Sequence, residues 1–78
     1  MAVYLLTDMS VGSKVRLNAI KGDKALSRRL LSLGISLGSQ FEIINQRGKG
    51  VVVAREGNRV AFGASIANKL LVEEISDQ

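Results

Sequence analysis

Polar and apolar residues alternate from Lys14 to Ile20, and this period of two predicts a strand with one buried and one wet face. Val15, Leu17 and Ala19 fall on the inward side. Lys21-Gly22 ends the strand, and the period then lengthens. Leu26, Leu30 and Leu33 recur at i, i+4 and i+7, the spacing of an apolar stripe down one side of a helix. Asp23 precedes that helix as an N-cap, and Gly34 supplies the left-handed residue that closes it. Leu31 falls off the stripe and onto the side that carries Lys24 and Arg28. An outward leucine flanked by cations marks a candidate recognition face.

Beyond Gly34, Ile35-Ser36-Leu37-Gly38-Ser39 reads as a compact turn whose two apolar side chains cover the helix end or the end of a barrel. Gln40 to Gln46 is a second strand with Phe41 and Ile43 on one face and Ile44 as the apolar exception on the other. Arg47-Gly48-Lys49-Gly50 is a loop, and Val51 to Arg55 is too β-branched for a helix. Glu56-Gly57-Asn58-Arg59 contains a Gly-Asn pair suited to a tight hairpin, after which Val60 and Phe62 share a strand face. Ser65 is placed to cap a helical turn running toward Leu70, and Leu71 to Ile75 returns to strand composition. At the N-terminus, Met1 to Leu6 suits an edge strand, and Thr7 suits the cap of a single turn over Asp8, Met9 and Ser10 before Val11-Gly12 bends the chain. Ser76-Asp77-Gln78 is expected to fray.

These elements predict a mainly β domain of the α+β kind. About five short strands form a strongly bent sheet that closes into a small barrel, with one short helix inserted after the first barrel strand and a helical turn before the last. At 78 residues the chain suits one domain spanning 1–78.

Composition narrows the chemistry more than it defines it. The chain contains neither cysteine nor histidine, which removes thiolate metal ligands, the usual neutral metal ligand and the Ser/His mode of nucleophilic catalysis. An enzyme is therefore not expected, and neither is a bound cofactor. A net charge of +4 favours an acidic protein face, nucleic acid or anionic lipid without choosing among them. No apolar run reaches the ~20 residues that span a bilayer, and the start lacks the pattern of a signal peptide, so the expected location is the cytoplasm, without direct membrane insertion.

Several residues carry a family resemblance that covers nearly the whole chain. They are Thr7-Asp8 with Val11-Gly12, the run Arg29-Leu30-Leu31-Ser32-Leu33-Gly34-Ile35 followed by Gly38, then Phe41-Glu42-Ile43-Ile44, and finally Val60-Ala61-Phe62 with Ala67 and Val72. Together they resemble the FeoA family, small cytoplasmic accessory proteins of bacterial ferrous-iron transport. The resemblance implies an SH3-like barrel without activity of its own that binds and modulates FeoB, the membrane iron transporter with a GTPase domain. The same domain type occurs in iron- and manganese-dependent repressors of the DtxR kind, but 78 residues leave no room for their DNA-binding helices. Arg47-Gly48-Lys49-Gly50 departs from the family's loop, so no contact made there by relatives is carried over.

Within this frame Lys24, Arg28 and Leu31 are the candidate partner-binding residues, joined by Arg29 in a cationic patch for an acidic face of the transporter. Asp23, Leu26, Leu30, Leu33, Gly34 and Gly38 are read as structural. Arg47 to Gly50 lacks the spacing of a phosphate-binding loop and is read as a turn. Glu73 and Glu74 point to opposite faces of a strand, so no specific ferrous-iron site is expected. The alternative reading is a nucleic-acid-binding SH3-like module or a general protein-interaction module. Against nucleic acid, Phe41 and Phe62 are assigned inward, leaving only Tyr4 for base stacking. Weak self-association through an edge strand or an apolar cleft stays open.

Overall fold

The structure, a computed structural model, describes residues 2–75; Met1 and the expected frayed end at Ser76-Asp77-Gln78 lie outside the described residues. The elements are β1 (Tyr4–Leu5), a 3-10 turn (Leu6–Asp8), β2 (Lys14–Ile20), α1 (Lys24–Ser32), β3 (Gln40–Arg47), β4 (Gly50–Arg55), β5 (Asn58–Phe62), α2 (Ala64–Ala67) and β6 (Leu70–Glu74). The six strands form one antiparallel sheet in the order β1-β6-β2-β3-β4-β5. There are thus six strands where about five were expected, because Tyr4 and Leu5 pair with Val72 and Leu71 at the edge.

The expected strongly bent, mainly β sheet with its inserted helix is present. Among the described residues no ladder joins β1 to β5, the two ends of the sheet. The 3-10 turn contacts β4, β6 and α2 instead. Strands β4 and β6 are separated in the sheet by β2 and β3, so the sheet wraps around this turn, and Leu6 is fully buried within it.

Two β-bulges accompany the wrapping. The β2–β6 register slips between Leu17 and Ala19, and the β3–β4 register slips between Ile43 and Asn45. A bulge adds one residue to one strand, bends it and strengthens its twist. The second slip accounts for Ile44, which breaks the alternation because the ladder itself is broken there. The first resets the alternation in β2. Val15 and Leu17 are buried as expected, whereas beyond the bulge Ala19 is only half-buried and Ile20 packs against the core.

Phe41, Ile43, Val51, Val53 and Phe62 supply the core side of β3 to β5, and Leu70 and Val72 that of β6. Local details depart from the sequence pattern where tertiary packing decides. Leu5, not Thr7, precedes the first turn, and no side chain caps it. Likewise Gly63, not Ser65, sits at the N-cap of α2, where its carbonyl accepts from the amides of Ile66 and Ala67. This single turn is held by burial of Ala67 and by Ile66 against the core. The β4–β5 hairpin turns on Glu56-Gly57, with Arg55 paired to Asn58, so the Gly-Asn pair straddles the turn boundary. Glu56 (φ 49°) and Gly57 (φ 84°) both take positive φ, the combination that matches a two-residue turn to strand twist. Gly48-Lys49 forms the other tight turn, between the paired Arg47 and Gly50.

Candidate functional site: the outer face of α1

Helix α1 is built from its two ends. At the start, Asp23 has extended backbone and its Oδ1 accepts from the amide of Leu26 at 3.1 Å, satisfying one of the free donors of the first turn. At the finish, the amide of Gly34 donates to the carbonyl of Leu31 and that of Ile35 to the carbonyl of Leu30, both at 2.9 Å. This pair of reversed bonds is a Schellman motif, and it requires the left-handed residue that Gly34 provides at φ 81°. A Cβ on Gly34 would also come within 3.4 Å of the Arg55 guanidinium.

The motif corrects the expected stripe. Leu30 is fully buried and Leu26 packs at the edge of the core, but Leu33 is 50% exposed. Helical geometry ends at Ser32, and Leu33 occupies the C-cap with ψ near zero. The reversal at Gly34 swings Ile35 back over the last turn, and Ile35 takes the core position that a continuing helix would have given to Leu33.

The following loop is anchored from beneath. The amide of Gly38 donates to the carbonyl of Leu17 at 2.9 Å, and that of Leu17 to the carbonyl of Ser39 at 2.8 Å. Ser39, nearly buried, accepts at its Oγ from the amide of Ser36 at 3.0 Å. With Ile35 and Ser39 inward, Leu37 is left at the apex, 62% exposed. The expectation that both apolar side chains of this turn give cover therefore holds for Ile35 and fails for Leu37.

Lys24, Arg28 and Leu31 share the outer face of α1, all exposed, with Leu31 at 62%. One flank of Leu31 borders a cleft of about 300 Å³ lined by Ile20, Ser27, Leu31, Ile35, Ser36 and Leu37. Arg29 does not join this group. It lines a separate cleft of about 270 Å³ between α1 and α2, with Lys69, Leu26 and Ile66. The helix carries no acidic residue. Leu33 and Leu37 are the exposed residues that the periodicity misses. The signal for both is Gly34 immediately before the apolar Ile35, because a Schellman motif with a hydrophobic residue at that place diverts burial away from its neighbours.

Elsewhere, Glu73 is engaged by Arg16 across β2 and β6 at 3.1 Å, and Glu74 is exposed. Among the described residues no three carboxylates converge as metal ligands. Phe41 and Phe62 are both buried and unavailable for stacking on bases. Among the described residues no helix is long and apolar enough to cross a membrane.

The fold is thus a small wrapped antiparallel sheet presenting α1, with an apolar cleft and the cations Lys24 and Arg28 on the outer side of that helix. Residues 4–74 match the family model of the FeoA domain, and the chain belongs to that family, a group of non-enzymatic accessory proteins of ferrous-iron transport. It is 29% identical over 72 residues to a protein of Methanocaldococcus jannaschii named as an Fe(2+) transport protein A, covering 92% of this chain and 88% of the relative. The fold is similar to the crystal structure of an iron uptake regulatory protein (FeoA), with a TM-score of 0.84 at 24% identity over 96% of this chain and all of the other. It is also similar to part of a manganese-dependent transcriptional repressor in complex with manganese, with a TM-score of 0.87 at 24% identity, covering 96% of this chain and 38% of the repressor.

Proposed function

We propose that this protein acts in the cytoplasm as an accessory subunit of bacterial ferrous-iron uptake, binding and modulating a FeoB-type membrane transporter through the outer face of α1. Membership of the FeoA domain family supports the transport role. The observation that carries the choice of surface is Leu31. It follows a fully buried leucine in the same helix, yet it stands 62% exposed on the side that carries Lys24 and Arg28. An exposed apolar residue with two cations along the same helix stripe suits a recognition anchor with charges that orient the encounter.

The test is co-purification with the FeoB-type transporter of the same organism, together with its GTP hydrolysis rate, using the native protein and Leu31→Glu. Loss of the complex with the amide NMR spectrum of the variant preserved is the expected result. Unchanged binding and an unchanged GTPase response would overturn the assignment.

A further inference from the structure

We propose that the cleft between α1 and the Ile35–Ser39 loop receives one apolar side chain of an acidic peptide segment, whose carboxylates lie along Lys24 and Arg28. This deepens, and rests on, the reading of α1 as the transporter-binding face, since it states what chemistry the partner presents there.

The cleft is concave and small. At about 300 Å³ it lies at the lower end of the range for ligand sites and suits a single leucine or phenylalanine side chain. Ile20, Leu31 and Leu37 supply apolar walls, and Ile35 closes the floor because the Schellman turn has drawn it inward. Ser27 and Ser36 add polar edges. The loop wall is rigidly positioned, since Ser36, Gly38 and Ser39 are all tied by hydrogen bonds within the loop or to β2. Such a site needs no folding of its own on binding, which lowers the ordering cost.

Charge complementarity names the occupant. On this side of the helix stand Lys24 and Arg28, Lys21 is next in sequence to the wall residue Ile20, and the one acid from Lys21 to Ser32, Asp23, is engaged as the N-cap of α1. Lys24 and Arg28 share the Leu31 stripe of the helix, so the carboxylates of a segment that runs along α1 with its apolar residue in the cleft meet cations on that stripe. The reverse charge pattern on a peptide would meet repulsion.

The probe is an acetylated decapeptide of glutamate and alanine with one central phenylalanine, titrated into the full protein and followed by amide NMR shifts. The expected result is saturable binding with a Kd of about 0.1–1 mM, with shifts centred on Ser27, Leu31, Ser36 and Leu37. Replacing the phenylalanine by serine weakens it about tenfold, as does Leu37→Ser in the protein, and the lysine version of the peptide does not bind. Leu37 is exposed, so that variant keeps the fold, and Arg28→Glu serves as a second variant with the same expected direction. Equal binding of the lysine peptide, shifts centred on other residues, or binding to phosphatidylserine vesicles in place of the peptide would overturn the proposal. Failure of the underlying reading is distinguishable: the transporter would then still co-purify with Leu31→Glu. If it does not, and the peptide leaves the cleft untouched, only the acidic-segment proposal falls.

Discussion

The amide of Ile35 donates to the carbonyl of Leu30 at 2.9 Å, and the two side chains are both sealed in the core. Through this pair the end of α1 is locked to the sheet, while the neighbours Leu31, Leu33 and Leu37 are turned outward. Ile35→Ala is therefore expected to destabilise the protein by about 2–4 kcal/mol in urea denaturation. Leu33→Ala should change stability by less than about 0.5 kcal/mol. Equal losses would mean that the helix continues past Ser32 in solution.

The same turn depends on backbone handedness. Gly34→Ala places a Cβ at φ 81° and is expected to cost about 1–2 kcal/mol in the same measurement. At the other end of α1, Asp23→Ala removes the acceptor for the Leu26 amide at a cost of about 1 kcal/mol, and Asp23→Asn recovers most of it.

Glu56 is the one non-glycine residue at positive φ among the described residues, and it shares its turn with Gly57. Asparagine tolerates this conformation better than glutamate, and Asn-Gly is a preferred pair for such a hairpin. Glu56→Asn should raise stability by about 0.5–1 kcal/mol, read as a higher midpoint with an unchanged denaturant slope.

The Arg16–Glu73 pair bridges β2 and β6 at 3.1 Å, with the arginine side chain 42% exposed and the glutamate 13%. Solvent on the arginine side limits what the pair contributes. A double-mutant cycle of Arg16→Met and Glu73→Gln should give a coupling energy below about 1 kcal/mol that shrinks with added salt. A coupling of several kcal/mol would show that Arg16 is far better shielded than its exposure indicates.

Charge on the outer face of α1 should govern encounter more than residence. Arg28→Glu is expected to slow association with the transporter by about tenfold at low ionic strength, with the difference fading as salt is added. Surface capture over a salt series measures this, and a purely dissociation-rate effect would contradict it.

Local physics made much of the chain readable before folding. Strict alternation located β2, β-branched density located β4, and Asp23 with Gly34 bracketed α1, because strand period, side-chain stiffness and helix-end hydrogen bonding are decided over a few neighbouring residues. The same kind of evidence pointed to Leu31 as an outward leucine. What the sequence could not decide is which apolar residues near a turn or bulge reach the core. Alternation says nothing of where a ladder slips, so Ile44 looked like an anomaly and Ala19 like full core. Helical spacing assigned Leu33 to the buried stripe, but the reversal at Gly34 gave that burial to Ile35 and left Leu37 at the loop apex. Only the tertiary structure brings α1, Ile20 and the Ile35–Ser39 loop around one cleft, because that neighbourhood depends on hydrogen bonds from the loop to β2, across some twenty residues of chain. The sequence by itself determined the elements and the charge of the helix; the long-range packing decided which of its leucines reach the core and which are left exposed.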